Sequence, residues 1–163
     1  MRFTVLASFL AALAVLSVTA GPAQASVITT GDVDPGGAGT QPDPWMVGGS
    51  LTVGNSGNGA LTVEAGGVVF NSDTGFVGRF SGSTGEATVT GSGSQWNKSG
   101  SLYIGGGSSG SGGSGTLNLT DSGLATVSDT VKLWSTGIIN LNGGSLTTGS
   151  FDNSEVGTFN FHS

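Results

Sequence analysis

Several residue types that protein chemistry depends on are scarce or absent in this chain of 163 residues. It has no cysteine and a single histidine, His162, and only 9% of its residues are charged. The missing cysteines exclude a disulfide framework, a thiolate metal site and a cysteine nucleophile. One histidine cannot supply the paired imidazoles of a zinc site. Composition alone therefore points to no specific catalytic activity.

Basic residues are also few, with four Lys and Arg against ten Asp and Glu. A nucleic-acid partner is not expected, because phosphate backbones are bound by basic stripes. Glycine alone accounts for 32 residues, and Gly, Ser and Thr together make up nearly half of the chain. Disordered chains usually combine low hydrophobicity with high charge. Here charge is sparse and apolar residues alternate regularly, which favours a folded body.

The N-terminus has the features of an export signal. Arg2 is followed by an apolar run over residues 3–18 and then by Ala23-Gln24-Ala25, a small-x-small cleavage pattern. The sequence predicts a signal peptide over 1–25, with a cut after Ala20 as an alternative. A retained membrane anchor is the other alternative, although the run is shorter than the roughly 20 residues of a spanning helix. We expect a mature chain without a membrane span, secreted or displayed at the cell surface.

Five segments repeat one pattern, a glycine followed by alternating apolar and polar residues. They begin at Gly59, Gly85, Gly115, Gly137 and Gly157. Alternation of period two places the apolar residues of each segment on one side of a strand. Similar strands stack on one another in solenoids, whereas propellers and sandwiches need tight hairpins. The sequence therefore predicts an all-β fold, a single-stranded parallel β-helix (β-solenoid) of about four to five coils.

This reading divides the chain into three parts. Residues 1–25 are the signal peptide, 26–48 a leader or N-terminal cap, and 49–163 the β-helix repeats, incomplete at the C-terminus. Trp45 is a candidate to lie over the open top of the first coil. Residues 105–115, made only of Gly and Ser, predict a flexible loop protruding from one corner. Phe159 and Phe161, left uncovered in the last unit, predict end-to-end self-association.

Residues 49–155 resemble the repeat regions of exported bacterial proteins with PEP-CTERM sorting signals, and are similar to autotransporter-type adhesin passengers. The phrases that carry the resemblance are Phe76-Val-Gly78, 82–96, Ser101-Leu-Tyr-Ile-Gly105, 139–146 and Gly149-Ser-Phe-Asp-Asn153. The resemblance implies a β-helix at the cell surface or in the extracellular matrix, and no catalytic residues. The sorting signal and a translocator barrel are absent before Ser163, which predicts either a fragment or a released protein.

Three sequence patterns resemble known ligand-binding or catalytic motifs, but each lacks a residue or an element that the motif requires. The glycines of 110–115 match a dinucleotide fingerprint by letters, but a strand follows them rather than the helix that holds the pyrophosphate. A calcium nonapeptide would need Asp where Leu117 stands. His162 lies at the terminus, where a catalytic triad is not expected. The sequence therefore predicts no catalytic, cofactor-binding or metal-binding residues, and no cofactor.

A carbohydrate-active β-helix, hydrolase or lyase, is the enzyme alternative. Asp73 and Asp129 share the phrase Ser-Asp-Thr, and Lys98 holds the corresponding place in the unit between them. Coils about 4.8 Å apart would separate the two acids by about 9.6 Å, which an inverting glycosidase could use. A surface charge ladder is the simpler interpretation.

The favoured function is a non-catalytic, exported, adhesin-like surface or matrix protein. Its outer face would carry an uncharged column of hydroxyls and amides, formed by Thr62, Thr88, Asn118, Asn140 and Asn160. Stacked amides stabilise coils, as in cross-β ladders. The same face could also meet a polysaccharide, a cell-surface glycan or an ice-like lattice.

Overall fold

The computed structural model describes residues 23–162, so the predicted signal peptide lies almost wholly outside the described residues. These residues contain sixteen strands and no helix. The strands are β1 (Ser26–Gly31), β2 (Val33–Asp34), β3 (Gly39–Thr40), β4 (Trp45–Val47), β5 (Leu51–Val53), β6 (Asn58–Glu64), β7 (Val68–Asn71), β8 (Gly75–Val77), β9 (Thr84–Thr90), β10 (Gln95–Lys98), β11 (Leu102–Ile104), β12 (Ser114–Thr120), β13 (Leu124–Leu133), β14 (Gly137–Asn142), β15 (Ser145–Asp152) and β16 (Thr158–His162).

The strands stack as a parallel β-solenoid of about four coils, which confirms the predicted fold class. Each coil contributes one strand to each of three faces. The first face runs β6, β9, β12, β14 and β16, all parallel. The second face joins β4, β7, β10 and the first half of β13, and the third joins β5, β8, β11 and its second half. An irregularity between Val127 and Thr130 separates the two halves of β13 in their pairing with β15.

The predicted register of the repeats is confirmed on the first face. Gly59, Gly85, Gly115 and Gly137 are level in successive coils. The apolar residues that follow form two buried columns, each no more than 8% exposed: Leu61, Ala87, Leu117, Ile139 and Val63, Val89, Leu119, Leu141. Phe159 and Phe161 continue these columns in the last coil but are 41% and 69% exposed. End-to-end association through them stays a prediction.

Glycines turn the chain from the third face to the first. Gly54, Gly78 and Gly105 each follow a third-face strand and have φ values of 73°, 69° and 81°. Glycine adopts this left-handed conformation without steric cost. A side chain at Gly78 would also collide with the carbonyl of Ser114 in the next coil. The repeated glycine is therefore a geometric requirement of each corner.

An antiparallel cap covers the N-terminal end of the solenoid. β1 pairs antiparallel with both β6 and β3, and β2 pairs antiparallel with β5. Trp45 lies in β4, which pairs with β7 at this end of the second face. Its side chain belongs to the core of the second face, level with Val69, and Gly36 packs against its ring. The cap consists of backbone ladders, with Trp45 beneath it.

The Gly/Ser segment 105–115 folds back onto the corner of the solenoid, so the expectation of a protruding loop is wrong. Gly106 bridges to Ser111, and the Gly107 amide donates to the carbonyl of Gly110 at 2.9 Å. The indole of Trp134 donates to the carbonyl of Gly107 at 3.0 Å. The glycines of this segment allow its backbone to lie close to the Trp134 ring. A side chain at Gly106 would collide with that ring.

The buried first-face column predicts a sharp contrast between neighbouring residues of β12. Leu119→Ala removes a fully buried side chain between coils and should lower the free energy of unfolding by about 2–5 kcal/mol. Thr120→Ala removes one outward hydroxyl, which donates to Thr90, and should cost about 1 kcal/mol or less. Urea unfolding measures both, and equal losses would contradict the assignment of inside and outside.

Candidate functional site

The predicted outward column of the first face exists, and side-chain hydrogen bonds connect it from Thr88 to Asn160. Asn160 donates to Asn140 at 2.8 Å, and Asn140 donates to Asn118 at 2.7 Å, each from Nδ2 to Oδ1. Asn118 in turn donates to the hydroxyl of Thr88 at 3.3 Å and to Glu86 at 2.9 Å. The amides therefore bind one another, which leaves few of their donors for a ligand. This geometry favours the stabilising interpretation of the column.

The predicted column of Asp73, Lys98 and Asp129 does not form. Lys98 is level with Asn71 and Val127, and it points into the solenoid, where it is 4% exposed. Gly100 is the residue adjacent to Asp73 in the intervening coil. The sequence prediction, which placed Lys98 level with Asp73, is therefore wrong by two residues. The reason is that β7 ends at Asn71, before the Ser-Asp-Thr phrase, whereas β10 continues to Lys98 itself.

Three main-chain carbonyls surround the Lys98 ammonium. Nζ donates to the oxygens of Asp73 at 2.7 Å, Ser101 at 2.8 Å and Gly100 at 3.2 Å. Burial lowers the pKa of Lys98 to about 8, while the carboxylates of Asp73 and Asp129 oppose the shift. All three protons of the ammonium have acceptors. This geometry indicates that Lys98 links two coils through hydrogen bonds and is not available as a catalytic base.

The two aspartates are each held by a serine from the preceding coil. Ser50 donates to Asp73 at 3.1 Å, and Ser101 donates to Asp129 at 2.6 Å. The backbone N–H of Thr74, followed by the Ser50 hydroxyl, lowers the pKa of Asp73. A glycosidase acid needs a raised pKa to stay protonated near neutrality. Asp73 therefore has the wrong environment for a general acid.

The second face carries a groove that the sequence interpretation missed. Its floor is an outward column of Met46, Phe70, Asn97 and Thr126, level in successive coils. Met46 is 67% and Phe70 41% exposed. The groove encloses about 680 Å³, and Gln95 and three exposed serines also line it, at positions 72, 99 and 128. Aligning Val69 with Trp96 as inward residues would have placed Phe70 outside.

The third face presents a row of aromatic and charged residues. Phe76 and Tyr103 stack with ring centroids 5.5 Å apart, and Lys132 follows them in register. Lys132 forms an ion pair with Asp152 at 2.9 Å. A hydrogen bond from the Ser154 amide, and then the Lys132 ammonium, lower the pKa of Asp152 to about 2.

No protein-family model, curated protein or solved structure matches the chain. Within residues 23–162 no helix has the length and apolar character of a membrane span. In the same part of the chain, no three His, Cys, Asp or Glu side chains are grouped so that they could hold a metal ion.

The amide column predicts a cost for interrupting it. Asn140→Ala leaves Asn118 without a donor and Asn160 without an acceptor, so we expect a loss of about 1–2 kcal/mol in the free energy of unfolding. Asn142→Ala, on the same strand but exposed, is the matched control and should change stability by less than about 0.5 kcal/mol. Similar losses for both variants would mean that the column contributes nothing.

The buried ammonium predicts a structural role for Lys98. Lys98→Met keeps the side-chain length but leaves three carbonyls without a donor, and should cost about 2–4 kcal/mol. Lys132→Met removes a lysine from a partly exposed ion pair and should cost about 1 kcal/mol or less. A larger loss for Lys132→Met in chemical unfolding would contradict this assignment.

Lys98 also predicts a pH dependence with a defined sign. Because its pKa falls from 10.5 to about 8 on folding, the unfolded chain binds more protons between these pH values. Stability that depends on Lys98 therefore rises as the pH increases from about 8 to about 10.5. The stability difference between wild type and Lys98→Met should grow over this window, and a constant difference would contradict the lowered pKa.

Proposed function

We propose that the protein is a non-catalytic, exported, adhesin-like repeat protein that binds a neutral polysaccharide through the groove on its second face. The observation that carries the proposal is the composition of that groove. Exposed Phe70 and Met46 provide an apolar floor, and the amides of Asn97 and Gln95 lie beside it. Ligand sites typically combine apolar and aromatic surface with a few polar groups that fix orientation.

The polar groups of the groove suit sugar hydroxyls. Asn97 donates to Gln95 at 3.1 Å, so each amide holds the other in place while retaining further donor and acceptor capacity. The serines at 72, 99 and 128 add hydroxyls along one edge. The only charged residue of the lining, Lys98, is buried and bonded to carbonyls. An uncharged glycan fits this surface better than an anionic one.

The repeat geometry supports a polymeric ligand. Successive coils place equivalent outward residues roughly 4.8 Å apart. The groove spans residues from β4, β7, β10 and β13, so it extends along the axis of the solenoid across several coils. A chain of sugar rings can follow such a groove, whereas a monosaccharide would use only part of it.

Binding without cleavage is the form of activity that the geometry favours. Asp73 is held deprotonated by its hydrogen bonds, and Lys98 lies between carbonyls rather than between the two aspartates. Display at the cell surface or in the matrix is proposed from the N-terminal export pattern and from the resemblance to PEP-CTERM and autotransporter-type repeat regions. A hydrolase or lyase is the alternative that these observations favour less.

The groove predicts binding that depends on Phe70. We expect affinity electrophoresis in gels containing dextran, barley β-glucan, xyloglucan or galactomannan to show retardation of the residue 26–163 chain by at least one of them. Phe70→Ala removes the aromatic floor and should weaken that retardation at least tenfold. The matched control is Phe151→Ala, since Phe151 is 43% exposed and lies outside the groove.

Three results would contradict the proposal. Retardation by none of the four polysaccharides would remove the ligand class. Equal retardation of wild type and Phe70→Ala would remove the groove. Release of reducing ends from the bound polysaccharide would show an enzyme in place of a binding protein. Circular dichroism of Phe70→Ala should match wild type, because the ring lies on the surface.

A further inference from the structure

Arg79 differs from the other basic residues in its surroundings. Arg79, Lys98 and Lys132 are the lysine and arginine side chains of residues 23–162. Lys98 is bonded to carbonyls and Lys132 to Asp152. Within the described residues the guanidinium of Arg79 forms no salt bridge and donates no hydrogen bond to the protein. A half-buried cation with its donors unoccupied is therefore available to a ligand.

Two aromatic rings position this guanidinium. The Arg79 Cζ lies 4.3 Å from the ring centroid of Phe76 and 4.7 Å from that of Phe80. Phe76 is itself buried and stacks on Tyr103, so the ring under the guanidinium is fixed. Cation–π contacts stabilise a guanidinium through its face and leave its N–H edge for hydrogen bonds. The arginine is thus oriented before any ligand arrives.

A cleft of about 400 Å³ opens beside Arg79. One wall is formed by Arg79, Phe80 and Ser81, and the other by residues 107–112 of the Gly/Ser segment. The second wall is held in place, because Trp134 donates to the Gly107 carbonyl and the Gly112 amide donates to the Gly105 carbonyl. A side chain at Gly112 would collide with the carbonyl of Arg79, so glycine allows the two walls to meet.

We propose that this cleft binds a uronic-acid residue of an acidic polysaccharide. The planar fork of Arg79 matches a carboxylate, which it can bind through two parallel hydrogen bonds. Phe80 is 50% exposed and offers a flat apolar surface to a sugar ring. Serine hydroxyls from both walls can bond to ring hydroxyls. A carboxylate attached to a hydroxylated ring satisfies all three features, whereas a peptide carboxylate would leave the hydroxyls unused.

The cleft is separate from the second-face groove, and the two sites differ in the charge of the ligand. They share no lining residue. The excess of acidic residues in the chain makes general attraction of anions unfavourable, so binding of an acidic polymer has to come from Arg79 itself. This inference therefore does not depend on the neutral-polysaccharide proposal and can fail or hold independently of it.

The test compares two polymers that differ only in the carboxylate. We expect isothermal titration calorimetry at about 0.15 M salt, near physiological screening, to show binding of polygalacturonate and none of its fully methyl-esterified form. Arg79→Gln should weaken binding about tenfold or more, because the charge and the fork are both lost. Arg79→Lys keeps the charge without the fork and should weaken it severalfold. Lys132→Gln, on the same face but already paired with Asp152, should bind as wild type.

A second variant protects the test against misfolding, because Arg79 packs on the buried Phe76. Phe80→Ala removes an exposed ring and should also weaken binding severalfold, whereas Phe151→Ala should not. Absence of polygalacturonate binding, or equal binding of the esterified polymer, would overturn the proposal. Binding of dextran sulfate that matches polygalacturonate and is unaffected by Arg79→Lys would also overturn it, because this result indicates attraction of any anion. Phe70→Ala, which should lose retardation by the neutral polysaccharide, should still bind polygalacturonate as wild type does. The two proposals can therefore fail separately.

Discussion

In-register stacking of parallel coils is the constraint on which the rest of this structure depends. Each first-face strand has its amides and carbonyls paired with the strand of the next coil, and each inward residue lies on an equivalent one. A single coil could not bury Leu117 or Leu119, because their partners are supplied by the coils above and below. Local sequence therefore gains stability only as part of the array.

The same constraint determines what the outside of the protein can do. A residue type that recurs in the repeat becomes a column, so Asn118, Asn140 and Asn160 bond to one another. Columns of like residues stabilise the coils but leave little unsatisfied capacity for ligands. The two sites proposed for ligands lie where the repeat is broken, at the apolar start of the second-face column and at the insertion of the Gly/Ser segment. Irregularity, rather than repetition, provides the clefts.

The fold could be predicted from the sequence because glycine and alternation report directly on geometry. Gly59, Gly85 and Gly115 are level in the structure as the repeat pattern predicts, and a side chain at Gly85 or Gly115 would collide with a carbonyl of a third-face strand. Lys98 could not be placed in the same way. An ammonium is expected outside, and the three carbonyls that compensate its burial belong to corners whose positions depend on the register of two coils.

The candidate ligand sites could not be predicted from the sequence for a related reason. Phe76 and Arg79 are close in sequence, but Tyr103 is distant from both, and only the pairing of β8 with β11 brings the two rings into contact. The Gly/Ser segment resembles a linker by composition. The Trp134 indole that holds it in place lies in the following coil, so the segment's own sequence does not show this contact. Residue types predict local conformation, whereas these contacts depend on the length of each corner.

The most direct test of the stacking itself uses the absence of cysteine in the chain. Thr116 and Ile138 are level on neighbouring first-face strands and both point outward, so Thr116→Cys and Ile138→Cys in one chain would carry two nitroxide labels roughly 5 Å apart at the backbone. In-register stacking predicts strong spin exchange in the room-temperature electron paramagnetic resonance spectrum. The control pair of Thr116→Cys and Ser99→Cys, on different faces, should keep the resolved three-line spectrum. A three-line spectrum from the Thr116 and Ile138 pair would contradict in-register parallel stacking.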